Sequence, residues 1–205
     1  MSNNFAVDRL KAQAQMQLPG ALDGPLIMAI FGVVTDFCIK TNTLWETQNI
    51  TTRVDKRDYE VSASESDLYY TNLLSLVQND GDVDESLLTN PTQVRAYMLN
   101  PGVMRLHDTP KAITRLSAKF AMAPRPTDNF GSLPNLPDIF WDKYHPVLLE
   151  GVLSSMMGQV AKPYSNERMG IFHGRRFIAG CSTAKVEALN GGMLGGQNWR
   201  FPRFA

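Results

Sequence analysis

The chain has 205 residues, enough for one domain with a real core and marginal for two. Basic and acidic side chains number 20 each, so the formal net charge is zero; 43% apolar and 20% charged residues are the shares of an ordinary globular protein. Neutrality argues against a chain built to grip nucleic acid, which carries a basic excess.

In chain order, residues 1–22 are polar and end on the turn signal Pro19-Gly20. They lack the basic and then apolar segments of a secretion signal, and are assigned as a polar N-terminal arm or a weak helix. Asp23-Gly24-Pro25 then opens a helix over about 24–41, with Asp23 as N-cap and Pro25 near the first helical position. Leu26, Ile30, Val33, Val34, Phe37 and Thr41 share one face at helical spacing. The longest apolar run, 26–34, falls well short of the roughly 20 residues that cross a bilayer. A soluble, unsecreted protein with no membrane association is expected.

A β-rich insert follows over about 44–123. Residues 45–54 are rich in Thr, Ile and Val, 58–63 alternate weakly around Tyr59 and Val61, and 68–77 are apolar and aromatic up to the turn signal Asn79-Asp80-Gly81; all three are expected as strands. Residues 84–98 admit two short helices, opened by Asp84-Glu85 and by Asn90-Pro91. Residues 102–107 are a short strand, and Thr109-Pro110 a turn. Next, Leu116, Ala118, Phe120 and Met122 point one way while Arg115, Ser117 and Lys119 point the other, the alternation of a sheet with one wet face. Four prolines make 124–137 a loop.

Helical sequence resumes at Asp138 and runs to about Ala161, split at Pro146, whose ring clashes with the preceding turn. Beyond the split, Leu148, Val152, Ser155, Met156 and Gln159 line one face. Lys162-Pro163 breaks the chain, and Ser165-Asn166 caps a last helix over about 165–189 that Asn190-Gly191-Gly192 ends. One stripe of this helix (Gly170, Gly174, Phe177, Cys181, Ala184 and Ala188) recurs at alternating four and three and is almost entirely small. Each glycine costs a helix about 1 kcal/mol relative to alanine. Close approach of a second helix, from this chain or from a neighbouring subunit, would offset that cost. The first helix cannot bury its face alone and must pack across the insert onto the two late ones. The fold class is therefore α+β: one domain over 23–190, a helical bundle of one N-terminal and two C-terminal helices with a β-rich insertion.

Chemistry is sparse. The phosphate-binding, nucleophile-elbow and zinc-protease motifs are absent, so no enzyme is expected. His107 and Asp108 are adjacent, but neighbouring residues of a strand or turn point apart and no nucleophile accompanies them. His145 and His173 flank helices without ligand spacing to cysteines or carboxylates. Asp80, Asp82, Asp84 and Glu85 imitate the start of a calcium loop, but Gly81 is misplaced and Pro91 stands where the closing glutamate belongs. Cys38 and Cys181, both in helical sequence, form neither a disulfide framework nor a thiolate metal site. They are expected as buried free thiols of a protein made in a reducing compartment. No cofactor or metal is implied.

The end of the chain is more telling. Residues 191–205 pass from four glycines to Trp199, Phe201 and Phe204 interleaved with Arg200 and Arg203. These are the residue types that anchor interfaces, and a glycine-rich lead lets them reach a pocket on another chain. From Lys162 onward seven basic residues face two acidic ones, which suits an acidic partner surface.

Several of these features occur together in one family. They are Phe37-Cys38-x-x-Thr41 ending the first helix, Trp45 opening a strand, a Tyr/Leu-rich strand, and the stretch Val103-Met104-Arg105-Leu106-His107. After them come Thr109-Pro110, the alternating strand to Pro124, Leu136-Pro137-Asp138 before a helix, and Lys162-Pro163-Tyr164-Ser165 before the last, with Phe172 and Phe177. Over about 24–190 the chain resembles the head-to-tail adaptor, or connector, proteins of tailed bacteriophages. The resemblance implies a structural virion protein of the neck, assembled in the host cytoplasm as a ring, commonly twelvefold, between the portal protein above and a tail nozzle or other tail protein below. DNA would pass through its channel without specific binding. It also implies that Trp199, Arg200, Phe201, Arg203 and Phe204 dock on the portal. The polar segment before Asp23 departs from the family pattern. A tail-completion protein or an assembly chaperone is the alternative, and a tail-associated hydrolase a more distant one.

Overall fold

The computed structural model describes residues 3–79, 94–125 and 136–190. The protein is mixed α+β, with helices α1 (Asn3–Gln17), α2 (Asp23–Thr41), α3 (Asp138–Met157) and α4 (Glu167–Leu189). Between α2 and α3 lie strands β1 (Trp45–Thr51), β2 (Asp58–Glu60), β3 (Leu68–Asn79), β4 (Ala96–Asn100), β5 (Val103–Leu106) and β6 (Arg115–Pro124).

Of the two readings of the N-terminal segment, an arm or a weak helix, the structure has a helix, and it is docked on the core. In α1, Leu10 and Ala14 at helical spacing, with Leu18 just beyond, are buried against the rest of the core. Few apolar residues suffice because they fall on one stripe, while Lys11 and Gln15 both donate to Asp23 across the turn. Asp23 is the first helical residue of α2 rather than its N-cap, which is Leu22. Its carboxylate is occupied by α1, and the Lys11 ammonium holds its pKa below the usual carboxylate value. Gly20, in the left-handed region at φ 82°, makes the turn between the two helices.

Helix α2 buries Leu26, Ile30, Val33, Val34, Phe37, Cys38 and Thr41 and closes on Asn42, a left-handed cap whose N–H donates to the Cys38 carbonyl. Among the described residues it is the one helix long and apolar enough to cross a membrane, by length and composition alone. Its buried face packs on α3, α4 and β6.

The strands form two antiparallel three-stranded sheets, ordered β1-β6-β3 and β2-β5-β4. In the first, Trp45 pairs with Ala121 and Ile50 with Leu116. Register shifts in β3 leave Thr71 and Leu74 as extra residues opposite β6, bending the strand. The wet face expected of β6 exists only in its first half. From Phe120 to Pro124 every residue is buried, because β6 is the central strand and α2 covers its inner end. Strand β4 occupies the end of the segment that admitted two short helices: Ala96–Asn100 turns through Pro101 and Gly102 (φ 93°) to pair with β5. The starts of the two helices that the sequence admits, at Asp84 and Asn90, the turn at Asp80-Gly81 and most of the proline-rich loop lie outside the described residues.

Helix α3 is continuous through Pro146. Proline removes one N–H from the ladder, and here the cost is met by packing, since Trp141, Leu148, Val152 and Met156 on the same helix are all buried. The helix stops at Met157, short of Ala161, and Ser155 is exposed rather than on the core face. Gly158 caps it, and after a short turn Asn166 accepts from the Met169 N–H to start α4. Helix α3 touches α1, α2 and α4, while α1 and α4 share no comparable contact. Helix α3 is thus the main link between α1 and the rest of the helices. Phe37 of α2 meets Phe140 and Tyr144 of α3 with ring centroids 5.8 and 4.9 Å apart, joining the first helix to the late pair.

Candidate assembly surface on the late helices

The small-residue stripe of α4 has its partner within the chain. A Cβ on Gly170 would stand 3.2 Å from the Gly158 nitrogen, and one on Gly174 2.8 Å from Ser154 Oγ. Phe177 lies across Gly151 of α3, Cys181 and Ala184 are buried beyond it, and Ala188 is half-buried. Helix α3 contributes its own small residue where α4 contributes its ring. The glycines therefore permit close backbone approach of α3 and α4, and Ser154 Oγ donates to the Gly170 carbonyl at 2.9 Å across it.

The same interface holds a polar cluster that helical periodicity did not reveal. Glu150 of α3 takes His173 Nδ1 at 2.6 Å and Arg176 Nη1 at 3.1 Å. His173 is buried, and its Nε2 has no partner among the described residues. His173 and Arg176 stand three apart on one helix and converge on a single carboxylate of another. A second tie, Lys143 Nζ to Glu187 at 2.7 Å, lies toward the other end of the pair. The signal in the sequence was Glu150 itself, a charge in the middle of an apolar helix, but its partners could be named only once α4 was placed.

The remaining candidates do not gather into one site, although His107 and Asp108, expected to point apart, turn toward each other. His107 Nδ1 lies 3.3 Å from Asp108 Oδ1, and both side chains are exposed. His145 Nε2 meets Gln13 Oε1 at 2.7 Å, tying α3 to α1. Cys38 and Cys181 are free and buried, and burial pushes their thiols up to about 12 and about 11. Among the described residues no three histidine, cysteine or carboxylate side chains gather to hold a metal ion. Trp199, Arg200, Phe201, Arg203 and Phe204, the expected docking residues, lie outside the described residues.

Outward from the buried stripe, α4 carries a second one. Ile171, Ile178, Val186 and Leu189 are exposed, Ile178 by 59% and Leu189 by 73%. Beside Ile178 runs an open groove of about 410 Å³, walled by Met28 and Phe177 and floored by Gly32, Gly151 and Gly174. Exposed aliphatic groups along a helix, next to a groove, have the character of an interaction surface. No protein-family model matches the chain, and no curated protein matches it significantly.

Proposed function

We propose that this chain is a structural, non-enzymatic protein of a tailed-phage virion: the adaptor that forms a ring between the portal of the head and the tail and lines the genome passage. In this reading the helices form a bundle from which the two sheets project as an arm, and the copies are arranged about the channel, twelvefold by family resemblance. The observation that carries it is the element order: an apolar helix, a β-rich excursion, and two late helices onto which the first one folds back. That order, with the short motifs at its junctions, is what resembles the adaptor family. Two physical features support it. Zero net charge suits a conduit better than a clamp, because each neutralised phosphate would add affinity and hold the genome in the channel. An apolar outer face on α4 suits a protein that works among neighbours.

The portal contact is assigned to Trp199, Arg200, Phe201, Arg203 and Phe204 at the end of the glycine-rich lead. Removing residues 191–205 is expected to leave the far-ultraviolet circular dichroism and melting of the domain unchanged and to abolish binding to purified portal rings. A truncated chain that still joins heads to tails sinks the docking assignment. Mass spectrometry of purified virions tests the wider reading: an adaptor is retained in the particle, whereas an assembly chaperone is lost from it.

A further inference from the structure

We infer that the outer face of α4 binds the outer face of α1 on a second copy of this chain, head to tail. The inference deepens the ring reading above by naming its subunit interface.

Three observations carry it. First, α1 packs on α3 and α4 packs on α3 and α2, while α1 and α4 have no comparable contact with each other, so the outer faces of α1 and α4 do not meet within one subunit. Faces so placed cannot satisfy each other within a chain, and a contact between them is heterologous, which propagates or closes a ring. Second, the shapes correspond. The α4 flank offers the ridge of Ile171, Ile178 and Leu189 beside the glycine-floored groove shared with Met28 of α2. The α1 flank offers a stripe of Asp8, Ala12 and Met16, with Met16 83% exposed. An unbranched methionine suits an irregular, mainly apolar groove, whose polar lining is the paired Asp36 and Lys40 with Ser154 and Ser155, and Ala12 lies one turn away. Third, the charges are opposite. Arg168, Arg175 and Lys185 are exposed on α4, against one exposed carboxylate, Glu167, in its first turn, and Glu187 of that helix is engaged by Lys143. Among the described residues, the exposed carboxylates beside α1 include Asp8 and, at the start of α3, Asp142, while Lys11 is engaged by Asp23 and Arg9 is an opposing cation. Opposite charge flanking an apolar strip fixes register and orientation as well as adding attraction.

The test is charge reversal with complementation, on the full chain, by sedimentation velocity over a concentration series reaching about 1 mM at low salt, where such contacts are least screened. The wild-type chain is expected to self-associate. Arg175→Glu with Lys185→Glu places like charges on both flanks, as does Asp8→Lys with Asp142→Lys, and each pair is expected to weaken self-association at least about tenfold. Mixing the two variants one to one restores association, because each then supplies the face that the other needs. All four positions are exposed, and circular dichroism of each variant verifies the fold. A wild-type chain that stays monomeric throughout overturns the inference, as do variants that associate like wild type or a mixture that does not recover. Portal binding is scored separately on the same variants. Its loss with complementation intact would fail the adaptor reading alone, and its retention without complementation would fail this interface alone.

Discussion

Gly151 of α3 faces the ring of Phe177 of α4 so closely that a Cβ at position 151 would stand 2.9 Å from Phe177 Cδ2 and 2.5 Å from Val33 Cγ1 of α2. Three helices therefore meet at one missing methyl group. Gly151→Ala gains about 1 kcal/mol of helix propensity but overpacks a junction in which the obstructing atoms belong to buried side chains, at a cost of about 1–3 kcal/mol. Net destabilisation of up to about 2 kcal/mol is expected, read as a lower urea midpoint at unchanged slope. Gly32→Ala is the control, since nothing lies within 4 Å of its Cβ position; it is expected to raise stability by up to about 1 kcal/mol.

The docking of α1 gives a second expectation. Leu10 is wholly buried, and Leu10→Ala removes its side chain from the contact with the core. A loss of about 2–5 kcal/mol is expected, the range for truncating a buried leucine. A solvated arm would lose almost nothing, so chemical denaturation of this one variant separates the two descriptions of the N-terminus.

The Glu150 cluster gives a third. Glu150→Ala leaves His173 Nδ1 and the Arg176 guanidinium without their shared acceptor. A cost of about 1–3 kcal/mol is expected for the stranded donors. In a double-mutant cycle with His173→Ala, the two changes should couple by about 0.5–3 kcal/mol, because the groups share one network. Strict additivity would show that the pair contributes nothing to holding α3 on α4.

Acidification gives a fourth. Burial, and secondarily the Arg9 charge, hold the His145 imidazole below its ordinary 6.5, with Asp142 opposing them. The unfolded chain therefore takes up this proton more readily than the folded one. The stability this group contributes is full above about pH 6.5 and declines as pH falls through that value toward the folded pKa. His145→Gln should flatten that part of the stability profile between about pH 7.5 and pH 5, measured by urea unfolding at several pH values. An unchanged slope would assign the acid sensitivity to other groups.

The long helices and the alternating strand were legible in the sequence because each writes its own period. The buried face of α2 follows the spacing of Leu26, Ile30, Val33 and Phe37, and the alternation about Leu116 and Ala118 marks β6. Local rules failed where tertiary contact outweighed them. Proline at 146 breaks an isolated helix, yet α3 runs through it because both flanking turns are anchored in the core. A polar composition conceals α1, since a helix needs only a narrow apolar stripe once another surface is there to receive it. Strand β4 carries little pattern of its own and exists because β5 pairs with it.

By itself the sequence determined composition, neutrality, the mixed α+β class and the spacing of small residues along the last helix, all of which are properties of neighbours along the chain. Only the tertiary structure decided what those small residues face. Gly170 and Gly174 meet α3 of the same chain, and the helix surface left exposed is the adjacent stripe of Ile171, Ile178 and Leu189. The reason is geometric: a helix period assigns residues to a face, but which face is covered depends on where residues more than a dozen positions away are brought.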